Sequence, residues 1–322
     1  MQSTLKRYQF QAMGSYCEVQ IFDDSRINAK KRARQIAGEV VRLERKYSQV
    51  DRQSFLSQMN FSAGSKLGIK LDNETVSLFD HARACYEQSD GLLDITAGIL
   101  RRVWDFNRNK IPRQADIDEL LPRIGFEKLE FKKNRLRLPI NMEIDFGAIV
   151  RAYAADSAAR IAQKQGVQHG LVNLGGDFAV IGAKPGGEPW PVGIVNPEAP
   201  TTLLAKIPLS QGGLSSTGDY SRFLDHDGTR YSLVLNPKTG WPASGLRAVS
   251  VAASSCPVAR SLSAIAMLKD SESGIAWLKE TGLPHAYMTA DGQLGGEGTE
   301  APASLADSTP EEDSESTESL SV

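Results

Sequence analysis

The stretch Gly170-Leu171-Val172-Asn173-Leu174-Gly175-Gly176-Asp177 decides between two architectures. An apolar run of strand length ends in two glycines and an acid, and a second strand-like run, residues 179–181, follows at once. A doubly wound dinucleotide fold needs Gly-x-Gly-x-x-Gly between a strand and a helix, so that phosphates meet the free N–H groups of the helix start. Here the spacing differs and no helix follows, so that reading fails. The two glycines serve either a turn with positive φ or a close backbone approach to another group.

Outward from this turn, strands are predicted at residues 190–194, 231–235 and 248–252, and upstream at 128–131 and 135–138. Near the start, Tyr8 and Phe10, then Cys17, Val19 and Ile21, alternate about Gly14-Ser15, which predicts a hairpin. Helical spacing covers residues 28–47, where Ile36, Val40, Leu43 and Tyr47 share a face, and 74–89, with Asn73 as N-cap. It also covers 149–164, with an alanine face, then 258–268 and 271–279. Helices and strands do not alternate regularly, so the fold class is α+β, with mixed sheets and flanking helices. Residues 1–294 read as one unit. Residues 295–322 are acidic and nearly free of apolar side chains, which predicts a disordered tail.

Composition excludes several function classes. The 37 basic and 39 acidic residues leave a net charge of −2, with no basic excess to draw a nucleic acid. Cys17, Cys85 and Cys256 match no zinc or redox spacing and read as reduced thiols. The start lacks the apolar core of a signal peptide, and no run reaches the roughly 18 apolar residues of a membrane span, so the expected location is cytoplasmic. The four histidines, at 81, 169, 226 and 285, form no metal-ligand pair and accompany no nucleophile elbow. His81 reads as a surface or packing residue, and His226 as solvated in a turn.

Four polar clusters interrupt the apolar pattern. In Leu93-Asp94-Ile95-Thr96, an acid and a hydroxyl either cap a turn or face a pocket. Asp145, ahead of Gly147 and a predicted helix, either caps that helix or stands where its N–H groups hold an anion. The third cluster is Gly175-Gly176-Asp177; the fourth joins Ser215-Ser216-Thr217-Gly218-Asp219-Tyr220 with Asn236-Pro237-Lys238-Thr239-Gly240, and taken singly each of its halves is an ordinary turn.

In order, these clusters resemble the FAD:protein FMN transferase family (ApbE-like flavin transferases) over roughly residues 8–290. Ala12-Met13-Gly14-Ser15 resembles the family's Ala-Met-Gly-Thr, and Gly91 to Trp104 its Gly-Phe-Asp-x-Thr-x-Gly-x-Leu segment ending in Trp. Asp145 to Asp156 is similar to Asp-Leu-Gly-Gly-Ile-Ala-Lys-Gly-Tyr-Ala-x-Asp. Gly175-Gly176-Asp177, Trp190-Pro191-Val192-Gly193-Ile194, Ser216 to Tyr220 and Asn236 to Gly240 match further blocks. The resemblance implies one layered α+β unit that binds FAD, uses Mg²⁺ and passes FMN to a threonine of a flavoprotein acceptor, releasing AMP. It places flavin-nucleotide contacts at Met13, Leu93, Asp94, Ile95, Thr96, Asp145, Arg151 and Val234.

The departures fall on the chemistry. The metal positions implied by the resemblance are Ala148, Arg260, Ser263 and Ala264; at Arg260 a guanidinium replaces a carboxylate, and at Ala264 a methyl replaces a hydroxyl. Mg²⁺ requires hard oxygen ligands. Leu233 replaces an imidazole, Val50 a tyrosine that contacts the nucleotide, and Arg151-Ala152 stands for Lys-Gly. Two readings stand: a transferase with a rearranged metal site using Asp94, Asp145 or Asp177, or a non-catalytic relative. The second binds FAD, or a partner such as an intact homologue, and uses Arg260 and Arg151 as permanent cations. A third, a pure scaffold with an empty pocket, sits poorly with the retained Asp94, Thr96, Asp145 and Asp177.

Overall fold

The computed structural model describes residues 3–106, 108, 110–199, 201–218, 223–301 and 317–320. In chain order its elements are β1 (Thr4–Ala12), β2 (Ser15–Asp23), α1 (Arg26–Lys46), α2 (Phe55–Phe61), β3 (Ile69–Lys70), α3 (Asn73–Gln88), a 3-10 helix (Ile95–Arg102) and α4 (Gln114–Leu120). There follow β4 (Glu130–Lys132), β5 (Arg135–Arg137), α5 (Val150–Lys164), β6 (Gly170–Leu174), β7 (Asp177–Gly182), β8 (Trp190–Val195), β9 (Leu203–Leu209) and β10 (Gly213–Gly218). The last are β11 (Phe223–His226), β12 (Thr229–Ser232), β13 (Leu246–Ala253), α6 (Cys256–Leu268), α7 (Ser271–Thr281), β14 (His285–Thr289), β15 (Leu294–Glu297) and β16 (Glu318–Ser319).

The spine is a nine-stranded sheet ordered β15-β14-β13-β10-β7-β6-β2-β1-β16, antiparallel except where β16 runs parallel to β1. Both faces are covered. On one, Val172, Leu174, Ala179 and Ile181 pack with the apolar stripes of α1 and α5. On the other, Leu171, Val180 and Leu214 pack under the β8–β9 ribbon through Trp190, Val192, Ile194 and Ile207. The period-2 alternation of a strand therefore sends Leu171 and Val172 into different cores, which is why β6 reads as a continuous apolar run. The alanine face of α5 (Ala152, Ala154, Ala155, Ala158, Ala159) is buried. Its small side chains let α5 lie against α1, α6 and the sheet together.

Several boundaries differ from the predicted ones for local reasons. Asp72, not Asn73, caps α3, its carboxylate accepting from Thr75 N at 2.8 Å. Asp145 does not cap α5, which begins at Val150 behind Ile149 with no side-chain cap. The predicted strand at 128–131 starts as a 3-10 turn, Phe126–Lys128, because Thr96 Oγ1 and Asp94 Oδ2 accept from the backbone of Gly125 and Phe126 at 2.8 and 3.0 Å. The predicted strand at 231–235 ends at Ser232. Beyond it Leu235 makes only an isolated bridge to Pro242, closing the turn in which Gly240 N donates to Asn236 O. Of the stretch assigned to the tail, residues 295–297 extend β15 against β14, and Ser319 pairs with Gln9. Residues 302–316 lie outside the described residues. No described helix is long and apolar enough to cross a membrane.

Candidate nucleotide site

A cavity of about 720 Å³ opens where the ends of the sheet strands meet the segment carrying the 3-10 helix. Its rim begins at the β1–β2 turn. Met13 sits at φ 52°, a left-handed conformation uncommon for a long side chain, and Gly14 follows at 65°. The strained backbone is tied down by Met13 N, which donates to Glu44 Oε1 of α1 at 2.5 Å. Opposite it, Gly175 has φ 59° and lies so close to Ser15 that a Cβ there would stand 2.6 Å from the Ser15 Cβ. Of the two readings of the glycine pair, the turn and the close approach, both hold at Gly175.

A second wall is the loop before the 3-10 helix. Asp94 Oδ1 accepts from Thr96 N and Oγ1, both at 2.7 Å, while Oδ2 accepts from Phe126 N. Burial pushes the Asp94 carboxyl above its ordinary range against these bonds. Thr96, expected to contact the nucleotide, is fully buried and does not line the cavity; its hydroxyl organises the loop from behind. Leu93, Asp94 and Ile95 do line the cavity. Asp145 faces it too, with Oδ1 accepting from Gly147 N at 2.6 Å and Oδ2 lying 3.2 Å from Arg101 Nη1. Gly98 packs against Asp145 at a distance no side chain permits, since a Cβ would fall 2.3 Å from the Asp145 Cβ.

The floor is a charge cluster. Asp177 is completely buried at the start of β7. Its Oδ2 meets Arg151 Nε at 2.5 Å, its Oδ1 accepts from the Ser215 hydroxyl, and Arg260 Nη1 stands 3.9 Å from that same oxygen. Burial opposes the Arg151 charge, and the Asp177 carboxylate more than restores it. Two guanidinium groups thus share the buried Asp177 carboxylate beneath the cavity.

Arg260 rises from α6. That helix starts where it does because Ser255 caps it, Pro257 occupies its first turn, and Asp156 Oδ1 accepts from Cys256 N at 3.0 Å. Arg260, Ala264 and Leu268, spaced four apart, present one face of α6 to the cavity. Arg260 Nε donates to Ala148 O at 3.2 Å and Nη1 to Ser216 O at 2.8 Å. Thus the four positions expected to hold a metal do converge, but not as a donor set for one. The Ala148 carbonyl is taken by Arg260, Ala264 offers a methyl group, and Ser263 Oγ is buried against Thr217 Oγ1 at 2.7 Å and Arg260 O. Nor do the three acids replace it: Asp94, Asp145 and Asp177 are each engaged by protein donors, and among the described residues no three His, Cys, Asp or Glu groups gather as a cation site.

Val234 and Leu233 line the mouth, whereas Val50 is 93% exposed and outside the lining. Arg101, Ser15, Asn173 and Phe178 line the cavity without having been predicted. Arg101 follows the Asp94 loop by less than two turns, which was its only sequence signal. Asp219 and Tyr220 lie outside the described residues. His81 packs between helices, Nε2 lying 2.8 Å from Ser261 Oγ, and His226 is solvated at the β11–β12 hairpin.

The chain matches the ApbE family over residues 13–288. It is 26% identical to the FAD:protein FMN transferase of Haemophilus influenzae over 246 residues, 71% of this chain and 70% of that one. With the Salmonella typhimurium protein of the same name it shares 31% over 166 residues, 48% and 47% of the two chains. The crystal structure of the ApbE protein from Thermotoga maritima superposes with a TM-score of 0.84 at 28% identity, covering 91% of this chain and 97% of that one. The flavin transferase ApbE of Vibrio cholerae, 21% identical, shares the fold at a TM-score of 0.77 over 91% and 97% of the two chains.

Proposed function

The chain belongs to the ApbE family, and we propose that within it this protein binds FAD without a metal ion and does not cut the pyrophosphate. The observation that carries this reading is the bond from Arg260 Nε to Ala148 O, which puts a fixed cation at the convergence of the expected metal positions. The cavity has room for a dinucleotide, apolar walls at Leu93, Ile95 and Val234 for a ring system, and Arg151 and Arg260 at its floor. Guanidinium groups pair with phosphate oxygens by charge-assisted, often bidentate hydrogen bonds and need no ion to do so.

The same residues argue against transfer. Phosphoryl transfer rests on positioning and charge neutralisation, but the attacking hydroxyl must also give up its proton. Arg stays protonated throughout the accessible pH range and accepts no proton. Leu233 stands where an imidazole is expected, among the described residues no histidine lines the cavity, and the nearby carboxylates of Asp94 and Asp145 are occupied by backbone and side-chain donors. The test is chromatography of FAD incubated with the protein, a threonine-bearing flavoprotein acceptor and Mg²⁺. FAD recovered intact is the expected result; AMP together with covalently attached FMN would sink the proposal.

A further inference from the structure

At its β1 edge the large sheet is closed by a segment distant in sequence. Tyr8 pairs with Glu318 and Gln9 with Ser319 in parallel register, and Leu320 N donates to Gln9 O at 2.7 Å. Leu320 is 5% exposed and joins the core beneath α1, while Glu318 forms an ion pair with Lys30 and lies 3.8 Å from Arg26 Nε. Residues 26–38 of α1 include five basic and no acidic side chains. The acceptor surface is thus the outer edge of β1, which pairs with residues 318–319, an apolar seat for one side chain, and cations beside it, which are the elements of peptide recognition by strand addition.

We propose that the outer edge of β1, flanked by Lys30 and Arg26, is a strand-acceptor site for an acidic segment with a leucine two residues on, filled by residues 317–320 of the same chain as a detachable latch. The chain length allows it. From β15 on one edge to β16 on the other is eight strand spacings, roughly 38 Å. The twenty or so intervening residues reach up to about 66 Å. Among the described residues the contact comprises two paired residues, one seated leucine and two ion pairs from Glu318, and the tether raises its effective concentration.

The test uses a labelled peptide of residues 313–322 with the intact chain and with a chain ending at Ser316. The peptide is expected to bind the shortened chain, with affinity falling as salt rises, and to bind the intact chain at least about tenfold more weakly because its own segment competes. A Leu320→Asp peptide is expected to lose binding, and a Glu318→Lys peptide to regain it on a Lys30→Glu chain. Binding to neither chain, or equally to both, overturns the proposal. So does an intact chain that is a dimer and becomes a monomer on shortening, since the latch would then come from a second copy. Should the shortened chain not fold, amide exchange across β1 in the full chain carrying Leu320→Asp decides. Exchange at Gln9 faster by tenfold or more is expected, and unchanged exchange overturns the proposal.

Discussion

Arg260 takes its place through two backbone carbonyls, those of Ala148 and Ser216, and through the buried Asp177 that also holds Arg151. Its removal is therefore expected to cost affinity for FAD and leave the fold standing. Arg260→Ala should weaken FAD binding by about 10- to 100-fold, the range of one charge-assisted hydrogen-bonded contact of roughly 1.5–3 kcal/mol. Arg260→Lys should recover only part of it, because an ammonium lacks the planar fork. Isothermal titration with FAD checks both, and wild-type affinity in Arg260→Ala would remove the residue from the site. A second expectation concerns Gly98. A methyl group there has to displace Asp145, whose own bonds to Gly147 and Arg101 resist the move. Gly98→Ala should lose FAD binding while its melting temperature falls only modestly, and retained affinity would show that this wall of the cavity is soft.

Helices α1, α3 and α5 are joined by charges as well as by their apolar stripes. Glu74 of α3 accepts from Arg42 and Lys46 of α1 at 2.6 Å each, and Ser157 of α5 donates to Glu39 at 2.8 Å. Burial pushes Glu74 up, and the bonds from Arg42 and Lys46 outweigh it and hold it below its ordinary 4.5. Its folded pKa being depressed, the stability it confers is complete above pH 4.5 and is lost as the pH falls through the lower, folded value. Half-exposed Arg42 keeps that contribution near 1 kcal/mol. Urea unfolding of Glu74→Gln should show that deficit at pH 7, and a gap that narrows as the pH falls below 4.5; a deficit that does not change with pH down to the acid limit of folding would assign the loss to packing.

Elements were legible in the sequence where a single periodicity governed them. The hairpin about Gly14, the apolar face of α1 and the alanine face of α5 all stand where the pattern put them. Boundaries set by a distant side chain were not. Nothing near residue 126 announces that Asp94 and Thr96 will hold its turn, and nothing in the acid-rich end announces that Leu320 has a seat beneath α1. The site was legible as an ordered set of loops, which brought Met13, Leu93, Asp94, Ile95, Asp145, Arg151 and Val234 to one cavity. Thr96 turned inward because its hydroxyl serves two partners in the loop, and Arg101 escaped notice because a helical arginine is usually a solvated one.

At the scale of the molecule, three layers meet at one end of the large sheet, and the clusters at residues 93–95, 145, 175–176 and 216–218 are delivered there. The β1–β2 turn, the β6–β7 turn, β10, the loop after β12 and one face of α6 come from widely separated parts of the chain, and their juxtaposition depends on the whole sheet being formed. What the sheet brings together is a dinucleotide-sized cavity with arginines at its floor. The measurement that tests this most directly is the dissociation constant of FAD in excess EDTA and again in millimolar Mg²⁺. Equal constants are the expected result, because Arg260 is a permanent cation and Ala148 O is already its partner. Binding that appears only with Mg²⁺ would contradict it, and would mean that the guanidinium yields its place to a metal.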